Sequence, residues 1–190
     1  YKHVNLLESN ISYAVKNNIL GTLSVLEALS QRVKSFVLIS TDKAANPVNI
    51  LGISKKISEI ISFYYKQKKL KQLKLSVVRF GNVFGSRGSA IEIFLEQISN
   101  KQPLTVTNKN AERFFMSIKE ACNLVLQCGS LKSRNNGIFI FKMGKPIKII
   151  KIVNDLLKYY ELKNYPINYI GLKKGEKLRE ILTNSKKINK

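Results

Sequence analysis

"ISTDKAANPVNILGISKK", residues 39–56, closes one strand-like run and opens a helix. The run before it, Phe36-Val37-Leu38-Ile39, is short, continuous and apolar. Such a run reads as a strand buried on both faces of a parallel sheet. It ends in three functional side chains, Thr41, Asp42 and Lys43, followed by a loop at Asn46-Pro47. Residues 48–69 then read as a helix packed through Ile57, Ile60, Ile61 and Tyr64. Upstream, residues 10–31 read as a helix capped by Ser9 or Asn10, with Ile19, Leu20, Leu23, Leu26 and Leu29 as its apolar stripe. Downstream, "LSVVRFGNVFG" at 75–85 is a second buried strand running into a glycine loop. Helix–strand–helix–strand is the pattern of a doubly wound α/β sheet.

After Gly85 the texture changes. "SRGSA" is a loop and 90–100 a helix; "PLTVT" at 103–107 is a strand and 117–128 a helix; "GIFIFKM" at 137–143 is a strand, 147–160 a helix and "INYIG" at 167–171 a short strand. "LKKGEKLREIL" reads as a loop leading into a helix, and the charged tail 183–190 as fraying. The expected fold is the C-terminal part of a doubly wound Rossmann-type parallel sheet with a small mixed α/β substrate lobe. Residues 1–85 are expected to belong to the dinucleotide-binding sheet and 86–190 mainly to the lobe, with 137–143 a candidate for return to the main sheet. The Gly-x-Gly-x-x-Gly turn that opens such a fold is missing from the sequence. The chain also begins at Tyr1, so it is read as a fragment whose Gly-rich half lies upstream. Alone it is expected to hold a dinucleotide poorly and to be inactive, because no glycine loop presents a helix N-terminus to a pyrophosphate.

The chain has 190 residues, 44% of them hydrophobic, which fits a globular domain with a core. No apolar run approaches the roughly 20 residues needed to cross a bilayer. Lys+Arg outnumber Asp+Glu 33 to 12, a net charge of +21. The densest cluster, "YYKQKKLKQLKLS" at 64–76, lies at a helix C-terminus, where cations suit the helix dipole. No aromatic–basic alternation accompanies it, so solvated lysines are the reading and nucleic acid is not an expected partner. Cys122 and Cys128 lie six apart on one helix, on different faces, and read as buried small hydrophobes in a reducing compartment. With one histidine and no Cys/His cluster, no metal site is expected.

Five blocks, in order, carry a family resemblance: "YKHVNLLESN…AVKNNILGT", "FVLISTDKAANPVN", "VVRFGNVFGSRGS", "PLTVTNKNAERFFMSIKEA" and "GLKKGEKLREIL". Together they resemble the CapD-type polysaccharide biosynthesis proteins, extended short-chain dehydrogenase/reductases that include the UDP-N-acetylglucosamine 4,6-dehydratases. The resemblance covers nearly the whole chain. It implies bound NAD, a UDP-sugar substrate and a role in making sugars for surface glycans. A 4,6-dehydratase needs a base for sugar carbon 5, an acid for the departing carbon-6 hydroxyl and a clamp on the diphosphate.

In the wider superfamily a tyrosine stands four residues before the lysine that matches Lys55; here that position is Leu51. Leucine can move no proton, so the site reads as relocated. Asp42 and Lys43 sit side by side at a strand's carboxyl end, where open α/β sheets place ligands. A lysine near other cations and partly desolvated can act as base, and a carboxyl near a sugar and a phosphate can act as acid. By resemblance, Asp42 is the acid, Lys43 the base and Thr41 a hydroxyl near the reacting carbon, while Ser40 and Lys55 contact the cofactor. The same resemblance puts Asn82, Arg87, Ser89 and Arg113 on the sugar diphosphate and Glu176 on the nucleotide ribose. Lys173 and Lys174 stand where the family has Arg and Pro, and a lysine cannot reproduce a bidentate arginine contact. His3 is expected near the sugar.

Two alternatives accompany this reading. One is an NDP-sugar 4-epimerase of the same superfamily, which would be expected to carry the tyrosine that Leu51 replaces. The other is an inactive nucleotide-sugar-binding remnant. The protein is expected in the cytoplasm, at the inner membrane face should transmembrane helices precede this segment, and a homo-oligomer is admitted.

Overall fold

The computed structural model describes residues 1–131, 136–141 and 143–181. In chain order the elements are α1 (Val4–Ser9), α2 (Ile11–Tyr13), a π-helical segment (Ala14–Leu20), α3 (Gly21–Ala28), β1 (Ser35–Thr41), α4 (Ile50–Lys68), β2 (Lys74–Phe80) and β3 (Asn82–Val83). They continue as α5 (Ala90–Ser99), β4 (Leu104–Val106), β5 (Glu112–Arg113), β6 (Phe115–Met116), α6 (Ile118–Ser130), β7 (Gly137–Ile140), β8 (Ile147–Lys148), α7 (Ile149–Tyr159) and β9 (Ile167–Tyr169).

The two apolar runs become the parallel strands β1 and β2, with Leu38 opposite Val77 and Ser40 opposite Arg79. β7 adds to the other side of β2 in parallel, Val78 opposite Phe139, so the sheet order is β1-β2-β7. β2 is central: Leu75, Ser76, Val77 and Val78 are fully buried. β1 is less covered than its sequence suggests, because Ile39 is 49% exposed. α4 packs on the face carrying Ser40, and α6 on the face carrying Val37, whose side chain lies 3.5 Å from a Cβ placed on Gly129. A helix on each face is the doubly wound arrangement. α6 and β7, though they follow the substrate-lobe segments in sequence, thus return to the central sheet.

A second core forms where α5 and α7 pack on β4, joining Phe94, Leu104, Val106, Val153 and Leu157. β4 pairs with β9 in parallel, and two short pairs, β3–β6 and β5–β8, stitch this lobe to the end of β2.

Three expectations need correction. Residues 10–31 are not one regular helix, since a π-helical turn interrupts it. The cause is at Asn18, whose carbonyl accepts hydroxyl bonds from Thr22 and Ser58, both at 2.6 Å. Those bonds replace the regular ladder, and π-turns mark such insertions. The insertion rotates the packed face, leaving Leu20 exposed while Leu26 stays buried. Asn10 occupies the N-cap position, but its side chain turns back to the Leu6 carbonyl at 3.0 Å.

The buried face of α4 is also not the isoleucine stripe. Ile60 and Tyr64 are more than half exposed, and Ser54, Ser58, Glu59 and Ser62 face inward. Small serines allow close helix approach, and their hydroxyls are satisfied: Ser58 and Ser62 each donate to the carbonyl one turn earlier, and Ser54 accepts from Asn18 Nδ2 at 3.1 Å. Glu59 is taken up by a buried network, with Arg79 donating from Nε at 2.7 Å and from Nη2 at 2.5 Å, and Ser40 Oγ at 2.6 Å. Finally, residues 172–181 form no helix; they run as an irregular strap. The tail expected to fray lies outside the described residues.

The cysteines divide, Cys122 exposed and Cys128 buried. Burial pushes the Cys128 thiol up, against a smaller opposing pull from Lys74. Iodoacetamide is therefore expected to alkylate Cys122 in the native protein and Cys128 only after denaturation, because the thiolate is the reactive form. Peptide mass spectrometry of the labelled protein checks this; equal labelling of both would contradict it.

Candidate active site

The carboxyl ends of β1 and β2 open into a cleft of about 640 Å³, bounded on its far side by the second lobe. Its chemistry begins where β1 ends. Thr41 leaves the strand in extended conformation and a 3-10 turn, Asp42–Ala44, follows. Thr41 Oγ1 caps that turn by accepting from the Lys43 amide and donates to Asp42 Oδ1 at 2.8 Å. Lys43 Nζ reaches the same Oδ1 at 3.0 Å. Asp42 is buried, and its other oxygen, Oδ2, has no hydrogen-bond partner among the described residues.

Two glycines permit this turn. A Cβ on Gly81 would meet the Phe114 carbonyl at 2.8 Å and Asp42 Oδ2 at 3.3 Å. A Cβ on Gly52 would lie 2.5 Å from the Lys43 carbonyl, so only glycine lets α4 start so close to the turn. Asn49 holds that helix start: its Oδ1 accepts from the Gly52 amide at 2.7 Å, and its Nδ2 donates to the Gly175 carbonyl at 2.8 Å. Glu8 accepts from the next amide, Ile50, at 2.7 Å.

Lys43 is not among other cations, as expected from sequence. Its ammonium lies between Asp42 and a second carboxylate, Glu180 Oε1, at 3.6 Å. Both carboxylates are buried. The cation excess of the chain is therefore locally reversed beside Lys43.

One turn along α4, Leu51 packs against Leu7 and Ala14 and lines the cleft with a surface that can exchange no proton. Lys55 follows one turn later. Its amine donates to the Ile39 carbonyl at 3.2 Å, and burial pulls its pKa below the usual lysine range. Ser40, grouped with Lys55 by sequence, has its hydroxyl committed to Glu59. His3 lies against Gly88, and burial, then the charge of Lys2, hold it below the ordinary imidazole range.

The expected substrate contacts divide. Asn82 and Ser89 line the cleft, and Ser89 Oγ is buried without a partner among the described residues. Arg87 is exposed and lies outside the cleft lining. Arg113 and Glu176, assigned separate contacts by sequence, meet each other at 2.8 Å. Arg113 Nη1 also donates to the carbonyls of Glu112 and Leu178, and Glu176 accepts from Thr107.

Sequence reasoning missed Glu8, Asn49, the Glu59–Arg79 pair and Glu180. Asn49 three residues before Gly52 is an N-cap pattern that could have been read. Glu180 had one available signal: with 12 acidic residues against 33 cations, each carboxylate is a scarce group.

The chain matches the family described as polysaccharide biosynthesis protein over residues 1–190. It belongs to that family. Among similar proteins, the probable polysaccharide biosynthesis protein EpsC of Bacillus subtilis is 44% identical over the whole chain. The capsular polysaccharide biosynthesis protein CapD of Staphylococcus aureus is 43% identical over the same extent. The chain spans 32% of the length of each. A UDP-glucose 4-epimerase of Rickettsia canadensis is 35% identical over 93% of the chain and 52% of that protein. The solved structure of Pen from Bacillus thuringiensis superposes with a TM-score of 0.86 at 36% identity, over 97% of the chain and 58% of that structure. These likenesses agree with the Rossmann-type parallel sheet described above.

Proposed function

We propose that this segment supplies the acid–base half of a UDP-sugar 4,6-dehydratase, acting on UDP-N-acetylglucosamine in the full-length protein. The observation that carries the reading is the Asp42–Lys43 contact of 3.0 Å at the cleft, beside a leucine where a tyrosine would be the usual proton carrier. NAD fits the residues present: Lys55 lies at the cleft with one hydrogen-bond partner among the described residues, leaving donors for ribose hydroxyls. The chemistry that bound NAD supplies is reversible storage of hydride between sugar carbons 4 and 6.

The proton steps belong to this chain. A proton passing from Lys43 Nζ to Asp42 across their contact leaves a neutral amine and a carboxylic acid, which is the base-and-acid set elimination needs. Lys43 takes the carbon-5 proton, and Asp42 gives its proton to the carbon-6 hydroxyl, which departs as water. The pair is then back in its ionic form and resets by the same short transfer. Thr41 Oγ1 donates to Asp42 Oδ1 and so holds the carboxyl beside Lys43. On the nucleotide side, Glu176 and Arg113 are offered as the ribose and diphosphate contacts, with Asn82 and Ser89 beside them, while the exposed position of Arg87 withdraws support from that clamp.

The relative named a UDP-glucose 4-epimerase favours a second reading, in which the sugar is only inverted at carbon 4. The mass of the product separates the two. Incubated with UDP-N-acetylglucosamine, the full-length protein is expected to give a 4-keto sugar lighter by one water; a product of unchanged mass would select epimerisation.

A further inference from the structure

Glu180 is a feature of the cleft to which the reaction outlined above gives no role. Its side chain is 2% exposed. A buried carboxylate is costly unless paired. Its one ion-pair partner among the described residues is Lys43, and its Oε2 has no hydrogen-bond partner there at all.

The strap that carries it is pinned along its length. Gly175 O accepts from Asn49, Lys177 Nζ donates to Asn46 O at 2.5 Å, and Leu178 O accepts from the Glu112 amide at 2.9 Å. Arg179 pairs with Glu112 at 3.1 Å. Two acidic residues of the strap thus meet two cations that line the cleft: Glu176 takes Arg113 and Glu180 takes Lys43.

We infer that Glu180 is a positioning residue for Lys43, a second carboxylate beside its ammonium that stabilises the positive charge forming there. This rests on the dehydratase reading. The ammonium donates to Asp42 Oδ1 at 3.0 Å and lies 3.6 Å from Glu180 Oε1, an ion-pair distance that leaves donors of the three unspent. During elimination the carbon-5 C–H bond breaks, its electron pair becomes the carbon 5–carbon 6 double bond, and the proton joins Lys43. The carbon-6 C–O bond breaks and the hydroxyl leaves with the proton of Asp42. Glu180 exchanges no proton. It is a fixed anion placed where positive charge appears, the role that a buried carboxylate plays behind the base of a catalytic triad.

The test uses the full-length protein and the variants Glu180→Gln and Glu180→Asp. Lysine accessibility is read by trinitrobenzenesulfonate labelling and peptide mass spectrometry, with Lys56, paired to Glu59, as internal control. In Glu180→Gln the labelling rate of Lys43 should rise, as the side chain loses the ion pair that holds it beside the strap, while that of Lys56 stays constant. Turnover of UDP-N-acetylglucosamine should fall about 10- to 100-fold in kcat with substrate Kd unchanged, the size of effect expected when a catalytic group is misplaced. Glu180→Asp should restore part of both. Unchanged Lys43 labelling, a parallel rise at Lys56, or an unchanged kcat would overturn the inference. Should the wild-type protein give no dehydrated product, the dehydratase reading fails by itself, and the labelling still decides whether Glu180 holds Lys43.

Discussion

Replacing Lys43 by alanine is expected to lower turnover of UDP-N-acetylglucosamine by about 100- to 10,000-fold, the usual contribution of a positioned general base. Substrate affinity should change little. Lys43 sits between two buried carboxylates at the end of β1, whereas Arg113 and Glu176, the proposed nucleotide contacts, lie on the second lobe and the strap. The variant removes a proton acceptor used in the transition state and leaves ground-state binding in place, so kcat and kcat/KM should fall together. Steady-state kinetics with calorimetric measurement of UDP-sugar binding separates the two effects. A variant that binds weakly yet turns over at the wild-type rate once saturated would make Lys43 a binding residue.

Replacing Glu59 by alanine should destabilise the full-length protein by about 3–5 kcal/mol, the cost of stranding one partner of a buried pair. Glu59 receives two donors from Arg79 and one from Ser40, and the side chains of Glu59 and Arg79 are both buried. Removing the carboxylate leaves a guanidinium in the core without its ion-pair partner among the described residues. The network also joins three elements, since Ser40 and Arg79 face each other across β1 and β2 while Glu59 comes from α4. Ser40 directly precedes Thr41 and Asp42, so the loss should also loosen the catalytic turn. The denaturant midpoint of wild type against Glu59→Ala measures the first effect. Replacing the pair together, Glu59→Leu with Arg79→Met, should recover much of the loss, because an apolar pair of similar size strands no charge. Equal stability of wild type and Glu59→Ala would show that the charge reaches water.

The parts legible in the sequence are those that local pattern decides. β1 and β2 are continuous apolar runs, and their parallel pairing followed from a helix of the right length between them. Thr41, Asp42 and Lys43 are adjacent in the chain, so their meeting at a strand end needed no tertiary information. α4 was legible as a helix but not in its orientation, because its buried face is made of serines and a glutamate that only the Asn18 carbonyl and Arg79 make acceptable inside. The strap at 172–181 carries a helix-like spacing, yet Gly175 adopts a φ of +77° and gives its carbonyl to Asn49, while Lys177 and Leu178 bond to Asn46 and Glu112. Tertiary partners distant in sequence overrode local propensity there. Glu180 was hidden for the same reason: its place beside Lys43 is set by that strap and by nothing within its own neighbourhood.

The central claim is that Lys43 removes the carbon-5 proton in a site where Leu51 does no proton work. The most direct measurement runs the full-length protein with UDP-N-acetylglucosamine in deuterium oxide and locates the label in the product by NMR. Solvent deuterium should appear at carbon 5 of a 4-keto-6-deoxy sugar for the wild type and not at all for Lys43→Ala. Deuterium at carbon 5 in the Lys43→Ala reaction at the wild-type rate, or an epimerised sugar without label, would contradict the account.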